Sequence, residues 1–591
     1  MKFPYGIANF HQVITEGYFY QDRTGFIRLL EEEGKNLLFL RPRRFGKSLL
    51  LSMLAHYYDV KQAENFEKLF GHLAIGNNPT PRRNSYFVLK WDFSFIEVSG
   101  ELEDIKKSLY THINHQIEEF YSYYEEFLPR KGKIDESAIF SLTSLISAVR
   151  ETPYRIYLLI DEYDNFANEV LMSRRDKETY QSLVEKEGVL KTVFKTVKFA
   201  CTEGGIDRVF ITGVSHLVMS DMTIGYNIAK NIYFLDYYHT LCGFTEGEVK
   251  EIVSEMIREG KLSEEKLNEA IEMMESYYNG YRFSIRAEEK IYNPTMSLYF
   301  FDYLYRECRY PEPMLDSNLA MDAEKIRFIS DVGRRGEGLL LDIVQGNRIC
   351  VNSLKDRFSI LDILYIGERD ISSRVSYLYY FGVLTLAEKT VLEYCFEVPN
   401  HVIRGLYIER IRGFISDGIV QDEGIEQAKE FLLGGDIKPL IQFVEQKILP
   451  VFKNREYRWM NEFSLKMMFL CFLFWENVFV IDSEPELGRG YADLLLMVRP
   501  DKQGAGLHDI LIEFKYVGLN QIKLKGEEVR GRSDEELIER AEIREVLKGA
   551  KEQLNKYAEA LVTKHPEVNL RKYTVVGVGM ERIVGVEVKD N

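Results

Sequence analysis

Short apolar runs alternate with longer segments of helical spacing through the first 215 residues of the chain. Four runs have the length of a buried strand, and they lie at 37–40, 85–94, 155–160 and 207–214. Strands that alternate with helices in this way are typical of a parallel α/β sheet. Each run ends in polar residues, and polar side chains at the ends of such strands commonly form a site. The pattern predicts an α/β domain with a site at one edge of its sheet.

The pattern changes twice further along the chain. From about residue 236 it is mostly helical, with a predicted hairpin of 383–388 against 394–398, which favours a helical or winged-helix-like connector. From about residue 421 strands return between two helices. The predicted elements there are a helix near 456–475, strands at 478–484, 491–498 and 509–515, and a helix near 544–560. The predicted domains are therefore 1–235, 236–420 and 421–591.

The segment from Asn36 to Leu51 reads NLLFLRPRRFGKSLLL. A strand, a Gly-Lys-Ser turn and a helix form the frame of a phosphate-binding loop, whose backbone N–H groups, lysine and hydroxyl hold nucleotide phosphates and Mg²⁺. The first glycine of the usual pattern is replaced by Arg41, which implies a loop that starts in a different shape. Four nearby arginines either neutralise phosphate charge or belong to solvated basic turns. They are Arg41, Arg43, Arg44 and Arg208.

The third strand ends in the acidic pair Asp161-Glu162. The aspartate can hold Mg²⁺ together with Ser48, and the glutamate can polarise the attacking water. At the end of the fourth strand, Thr212 and Ser215 are candidates to contact the γ-phosphate or that water, and helix capping or turn formation is the alternative. The predicted nucleotide ligands are Arg43, Arg44, Phe45, Gly46, Lys47, Ser48, Leu49, Asp161 and Thr212.

A second group of polar residues lies near the C-terminus. Asp493 stands at the start of one predicted strand, and Glu513 and Lys515 lie on one face of the next. Two carboxylates suit Mg²⁺ or Mn²⁺, and the lysine can assist a water in phosphodiester hydrolysis. A solvent-facing pair is the alternative, although both residues interrupt an otherwise apolar strand. On the following helix, Gln553 and Tyr557 either lean toward this site or simply pack.

Composition limits the class of protein. The 591 residues are 46% apolar and 28% charged, as in ordinary globular proteins. A net charge of −16 argues against non-specific coating of nucleic acid but is compatible with a local basic groove. Six scattered cysteines favour free thiols in a reducing cytoplasm over a disulfide or zinc framework. No signal peptide or membrane span is evident, so a cytoplasmic protein without a membrane partner is expected.

With these residues in view, the chain resembles a family of bacterial and archaeal proteins that join an AAA-like P-loop ATPase domain to a C-terminal PD-(D/E)xK nuclease-superfamily domain. The matching segments are 22–24, 41–48, 158–164, 210–215, 278–283, 292–294, 490–493 and 512–515. The resemblance implies that arginine at position 41 is a family trait. Arg23 and Tyr491 depart from the family's usual lysine and arginine. A homo-oligomer is an expectation from AAA-like relatives alone.

The sequence therefore predicts an ATPase coupled to a metal-dependent nuclease-like domain that acts on DNA or RNA, in defence or repair. Glu162, Asp493, Glu513 and Lys515 are the predicted catalytic residues. Ser48 and Asp161 would hold Mg²⁺ at the ATP site, while Asp493 and Glu513 would hold Mg²⁺ or Mn²⁺ at the nuclease site. The alternative is an ATP-gated regulatory or interaction protein whose nuclease-like domain binds nucleic acid or protein without cleavage.

Overall fold

The chain forms two compact units. One consists of Met1–Cys308 and Ile349–Pro399, and the other of Arg309–Arg348 and Asn400–Asn591. The domain boundaries expected at residues 235 and 420 stay predictions. The computed structural model describes residues 1–97, 102–165, 188–216, 227–315, 343, 348–355, 371–416, 418–451, 461–483, 485–487 and 490–589.

A parallel sheet forms the centre of the first unit, with its strands in the order β2-β3-β4-β1-β5. The strands are β1 (Asn36–Leu40), β2 (Tyr86–Asp92), β3 (Arg155–Asp161), β4 (Ile206–Gly213) and β5 (Lys230–Asn231). Three of them, β1, β3 and β4, are almost wholly buried, as expected for strands covered on both faces. The register sets Leu40 beside Gly213 and Asp92 beside Asp161, so the predicted site residues follow strands that end at one edge. The predicted α/β domain is confirmed.

Ten helices accompany this sheet within the described ranges up to residue 307. They are α1 (Phe10–Thr15), α2 (Phe26–Glu33), α3 (Lys47–Tyr58), α4 (Phe66–Phe70), α5 (Leu102–Tyr123), α6 (Ala138–Arg150), α7 (Val189–Glu203), α8 (Glu246–Arg258), α9 (Lys266–Tyr278) and α10 (Pro294–Glu307). Local sequence fixes several starts. Thr245 and Glu248 form a capping box at α8, and Asn293 caps α10 ahead of Pro294.

The same unit contains a small antiparallel sheet with the strand order β6-β8-β7. Its strands are β6 (Ile349–Val351), β7 (Thr385–Lys389) and β8 (Tyr394–Glu397). Helix α11 (Ser372–Tyr380) lies between β6 and β7 in sequence. The predicted hairpin is confirmed by the pairing of β7 with β8, whereas the helical or winged-helix-like connector stays a prediction.

One expectation about the cysteines is wrong. Cys350 and Cys395 lie opposite each other on β6 and β8 and form a disulfide. Strand register brings the two thiols together across 45 residues of sequence, and cysteine spacing carries no trace of that register. Cys201, Cys242 and Cys471 remain free, as does Cys308.

A five-stranded sheet forms the centre of the second unit, in the order β15-β14-β13-β12-β9. Its pairings are antiparallel except for the parallel pair β13–β14, and a short ribbon of β10 and β11 lies apart. The strands are β9 (Phe479–Ser483), β10 (Glu486–Leu487), β11 (Gly490–Tyr491), β12 (Leu494–Val498), β13 (Asp509–Val517), β14 (Leu570–Val578) and β15 (Arg582–Glu587). The predicted run 491–498 is thus divided between two sheets.

The described helices of this unit are α12 (His401–Ile415), α13 (Gly418–Gly434), α14 (Lys438–Phe443), α15 (Glu462–Leu473), α16 (Leu519–Ile522), α17 (Gly526–Arg530), α18 (Asp534–Ile538) and α19 (Ala541–Lys564). α19 covers one face of the sheet, where Leu554 and Leu561 pack with Leu495 and Leu511 in one buried cluster. The predicted helix at 456–475 corresponds to α15, and its first residues lie outside the described ones. Among the described segments, none is a helix long and apolar enough to span a bilayer.

Candidate functional site

The phosphate loop lies between β1 and α3, which begins at Lys47. Two residues with positive φ shape the loop, Arg44 at 68° and Gly46 at 82°. Gly46 immediately precedes α3, and a glycine adopts this left-handed conformation without a steric penalty. The Lys47 ammonium is buried and donates to the carbonyls of Arg41 and Pro42, at 3.1 and 3.0 Å. The loop therefore holds its lysine folded back over its own first residues.

The other predicted ligands of the loop divide by their exposure. Gly46 and Ser48 are exposed, and Leu49 is half-buried. Phe45 is buried and packs edge-on against Tyr281 and Phe283, with ring centroids 5.0 and 5.2 Å away. The Phe45 ring thus anchors the loop, and only its backbone N–H is suited to a phosphate.

Arg41 has a structural role. Its guanidinium is 1% exposed and donates to the carbonyls of Tyr233 and Tyr238, at 3.0 and 2.9 Å. It also stacks between the rings of Phe39 and Phe283, 4.5 and 4.3 Å from their centroids. Burial lowers its pKa to about 10, which still leaves it charged at neutral pH. The arginine in place of the first glycine ties the start of the loop to residues 233–239, so it neither contacts phosphate nor belongs to a solvated turn.

The other arginines differ in their surroundings. Arg208 lies near the start of β4, is 2% exposed and donates to the carbonyls of residues 30, 31 and 34, so its suggested role at the phosphates is wrong. Arg43 donates to the amide oxygen of Asn165 at 2.6 Å and therefore lies beside the acidic end of β3. The carbonyl of Arg44 accepts from the Thr295 hydroxyl at 2.7 Å. Among the described contacts of these arginines, the one that lies at the acidic end of β3 belongs to Arg43.

Asp161 connects the loop to two neighbouring strands. The Ser48 hydroxyl donates to one of its carboxylate oxygens at 2.6 Å, and the buried Thr212 hydroxyl donates to the other at 2.5 Å. A serine hydroxyl beside an aspartate at a strand end is the donor set of a nucleotide-bound Mg²⁺. The structure therefore brings together Ser48, Asp161 and Thr212, three residues predicted from separate parts of the sequence.

Glu162 stands next to the loop lysine. One of its carboxylate oxygens lies 3.8 Å from the Lys47 ammonium, and its backbone has a positive φ of 50°. Burial raises the pKa of Glu162, the Lys47 charge opposes that shift, and the Asp164 and Asp161 carboxylates add to it. A carboxyl group with a raised pKa beside the phosphate loop is suited to accept a proton from water.

Ser215 serves a different purpose from the one suggested. Its backbone N–H and hydroxyl both donate to one oxygen of Asp164, at 2.7 and 2.8 Å, and Val214 N–H donates to the other at 3.0 Å. The fully buried Asp164 thereby fixes the segment after β4 against the end of β3. Its position three residues after Asp161 was the available sequence signal for this role.

The residues predicted for the nuclease site lie close together in the second unit. The Lys515 ammonium lies 3.0 Å from a Glu513 oxygen, 3.9 Å from an Asp493 oxygen and 3.1 Å from a Glu462 oxygen. Asp493 also accepts from the Phe514 N–H at 2.7 Å, which joins the end of the turn before β12 to β13. The solvent-facing alternative does not apply, because Glu513 is 2% exposed. Three carboxylates and one ammonium thus share a single centre.

Burial and mutual repulsion dominate the electrostatics of this centre. Burial and the Asp493 charge raise the pKa of Glu513 to about 7, and burial also raises the pKa of Asp493. Burial works to lower the pKa of Lys515, but the Glu513 and Asp493 charges outweigh it and raise that pKa. One Glu513 oxygen, Oε2, is buried without a hydrogen-bond partner among the described residues. A buried, unpaired carboxylate oxygen beside a second carboxylate fits a divalent cation.

Two residues on α15 were missed as members of this centre. Glu462 begins the helix and contacts Lys515, and Lys466, one turn later, is buried and its charge opposes the rise in the pKa of Asp493. Their i, i+4 spacing on a helix just before the site strands was the available signal. On α19, Tyr557 is buried, and its pKa is raised by burial and by the Glu513 charge, whereas Gln553 is exposed. Tyr557 therefore borders the centre.

The comparisons with known proteins agree with this geometry. Residues 4–223 match the family described as predicted AAA-ATPase, and residues 460–587 match the PD-(D/E)XK nuclease superfamily. The first match contains the loop and Asp161, and the second contains Glu462, Asp493 and Glu513. The chain therefore joins an AAA-ATPase-like domain to a PD-(D/E)XK nuclease-superfamily domain.

Two individual proteins are also similar to this chain, at lower identity or over part of its length. An uncharacterized protein in the vnfD 5' region of Azotobacter chroococcum is 29% identical over 297 residues, which are 50% of this chain and 50% of that protein. The chain thus matches about half the length of this curated relative. The structure of the Aeropyrum pernix ORC1 protein in complex with DNA is 11% identical, with a TM-score of 0.26, over 67% of this chain and 96% of that one.

Proposed function

We propose that this protein binds and hydrolyses ATP in its first unit and cleaves DNA or RNA phosphodiesters in its second. The observation that carries the nuclease half is the buried Glu513 Oε2, which has no hydrogen-bond partner in the described part of the chain and lies beside Asp493 and Lys515. The observation that supports the ATPase half is the convergence of Ser48 and Thr212 on Asp161.

At the ATP site, the loop N–H groups and the Lys47 ammonium would bind the phosphates. Lys47 would leave its carbonyl partners, Arg41 and Pro42, to do so. Ser48 and Asp161 would hold Mg²⁺, which neutralises phosphate charge when bound. Glu162, beside the loop and with a raised pKa, would accept the proton of the attacking water.

At the nuclease site, Asp493 and Glu513 would hold Mg²⁺ or Mn²⁺, with Glu462 in reach of the same centre. The cation supplies a water of lowered pKa and stabilises charge on the phosphate. Lys515 would release Glu513 and Glu462 to orient that water. Glu513 must lose its proton before it can hold a cation, so the site is expected to work best above about pH 7.

A cleavage assay tests this proposal. Plasmid, single-stranded DNA and RNA are incubated with Mg²⁺ or Mn²⁺, with and without ATP, and the wild type is compared with Asp493→Ala. Asp422→Ala is the matched control, since Asp422 is an exposed aspartate of α13 in the same unit. We expect at least about a hundredfold slower cleavage in Asp493→Ala and an unchanged rate in the control.

Two results count against the proposal. Equal cleavage by the wild type and Asp493→Ala would assign the activity to another centre or to a contaminant. A wild type that binds nucleic acid at low salt without cutting it under any of these conditions would favour the regulatory alternative, in which the second unit only recognises its partner.

A further inference from the structure

Helix α11 packs against the phosphate loop of the same unit. α11 is buried along its whole length, from Ser372 to Tyr380. Just beyond α11, Gly382 packs closely against Pro42 of the loop: a Cβ atom added at Gly382 would lie 2.7 Å from the Pro42 ring. The Tyr380 ring lies 5.5 Å from that of His216, which follows the strand of Thr212. α11 therefore covers the loop and the end of β4 together.

One side chain of α11 is poorly matched to its surroundings. Tyr377 is fully buried, yet its hydroxyl has no hydrogen-bond partner among the described residues. Burial raises its pKa, the Asp164 charge adds to the rise, and the Arg43 charge opposes it. Tyr377 therefore lies within electrostatic reach of Arg43 in the loop and of Asp164 just after β3. A buried hydroxyl without a partner is costly and requires an explanation, and a bound group that supplies the partner is one.

The neighbours of Tyr377 indicate which part of a nucleotide would reach it. Glu162 is influenced by Asp164 and Arg43 as well as by Lys47, so these groups form one neighbourhood. In a phosphate loop, the lysine reaches the β- and γ-phosphates, and the acid that activates water stands beyond the last of them. The segment after Tyr377 contacts the loop at Pro42, and Glu162 lies 3.8 Å from the Lys47 ammonium, so a hydroxyl near Arg43 and Asp164 is on the γ-phosphate side of the site.

We propose that Tyr377 donates a hydrogen bond to the terminal phosphate of a bound nucleoside triphosphate. The proposal rests on the proposed ATP site and adds a residue from outside the segments that form the loop. It would make α11 part of the nucleotide pocket. ADP offers no oxygen at that position, so the packing of α11 on the loop would differ between the triphosphate and diphosphate states.

Nucleotide affinity in the full-length protein tests the proposal. Binding of ATPγS and of ADP, each with Mg²⁺, is measured calorimetrically for the wild type, Tyr377→Phe, Tyr380→Phe and Lys47→Ala. Tyr380→Phe is the matched control, because it removes a hydroxyl from the same helix that already donates to the carbonyl of Lys355 at 3.2 Å. Tyr377→Phe should weaken ATPγS binding about tenfold and leave ADP binding unchanged, since a hydrogen bond to a charged group contributes at least that much.

The outcomes distinguish failure of the Tyr377 contact from failure of the proposed ATP site. If Lys47→Ala loses ATPγS while Tyr377→Phe binds it as the wild type does, Tyr377 has no contact with the nucleotide. Equal weakening of ATPγS and ADP in Tyr377→Phe contradicts the assignment to the terminal phosphate. Failure of the wild type to bind either nucleotide overturns the ATP site and the Tyr377 contact with it. The melting temperature of Tyr377→Phe should not fall, and a drop of several degrees would contradict the unpaired hydroxyl.

Discussion

Restoring the glycine that the phosphate-loop pattern calls for should damage this protein. In Arg41→Gly the guanidinium disappears, and the carbonyls of Tyr233 and Tyr238 lose the Arg41 donor at 3.0 and 2.9 Å, although the Tyr238 carbonyl keeps the Leu241 N–H at 3.3 Å. A hydrogen bond from a charged group contributes about 1.5–3 kcal/mol, and water that enters the vacated space recovers part of the loss. We therefore expect a loss of about 2–4 kcal/mol, a large share of the 5–15 kcal/mol typical of a folded domain.

Urea denaturation monitored by circular dichroism measures this change, and ATP titration shows whether the loop survives. Arg83→Ala is the control, because Arg83 is exposed and only covers the Phe66 ring at 4.4 Å. The control should lose less than about 1 kcal/mol. If Arg41→Gly is as stable as the wild type and binds ATP equally well, Arg41 does not hold the start of the loop.

Two further predictions concern the charged groups of the sites. Lys47→Ala should lower ATP affinity at least about a hundredfold with an unchanged circular dichroism spectrum; unchanged affinity in a calorimetric titration would contradict the site. In the metal-free protein, Glu513 has a pKa of about 7 against an ordinary 4.5, so between these values the folded state keeps a proton that the unfolded state has lost. Stability should therefore fall as pH rises from about 5 to about 7.5, and Glu513→Gln should reduce that fall. Equal urea midpoints for both proteins across this range would show that Glu513 is not the titrating group.

Site residues at the end of a strand or turn were predictable from the sequence. Asp161, Thr212 and Ser48 each lie where a strand or turn ends, and parallel strands bring such ends to one edge. Glu513 and Lys515 were visible because they interrupt an apolar strand. In each case the informative signal lies within a few residues of the site residue itself.

Partners distant in sequence could not be predicted in the same way. The carbonyls that Arg41 holds lie near residues 233–239, so its buried role depends on a tertiary contact. The sequence around Arg208 likewise allowed a phosphate contact or a solvated turn, yet Arg208 donates to a carbonyl near the end of α2. The Cys350–Cys395 bond depends on strand register. Glu462 reaches the predicted nuclease centre only because α15 packs beside its sheet.

The measurement that tests the central claim most directly is ATP hydrolysis and nucleic-acid cleavage on the same preparations of the wild type, Lys47→Ala and Asp493→Ala. If the two sites are chemically separate, Asp493→Ala still hydrolyses ATP but does not cleave nucleic acid. Lys47→Ala, in contrast, does not hydrolyse ATP. Loss of ATP hydrolysis in Asp493→Ala with its fold intact, or cleavage retained at the wild-type rate in that variant, would contradict the assignment of the two activities to these residues.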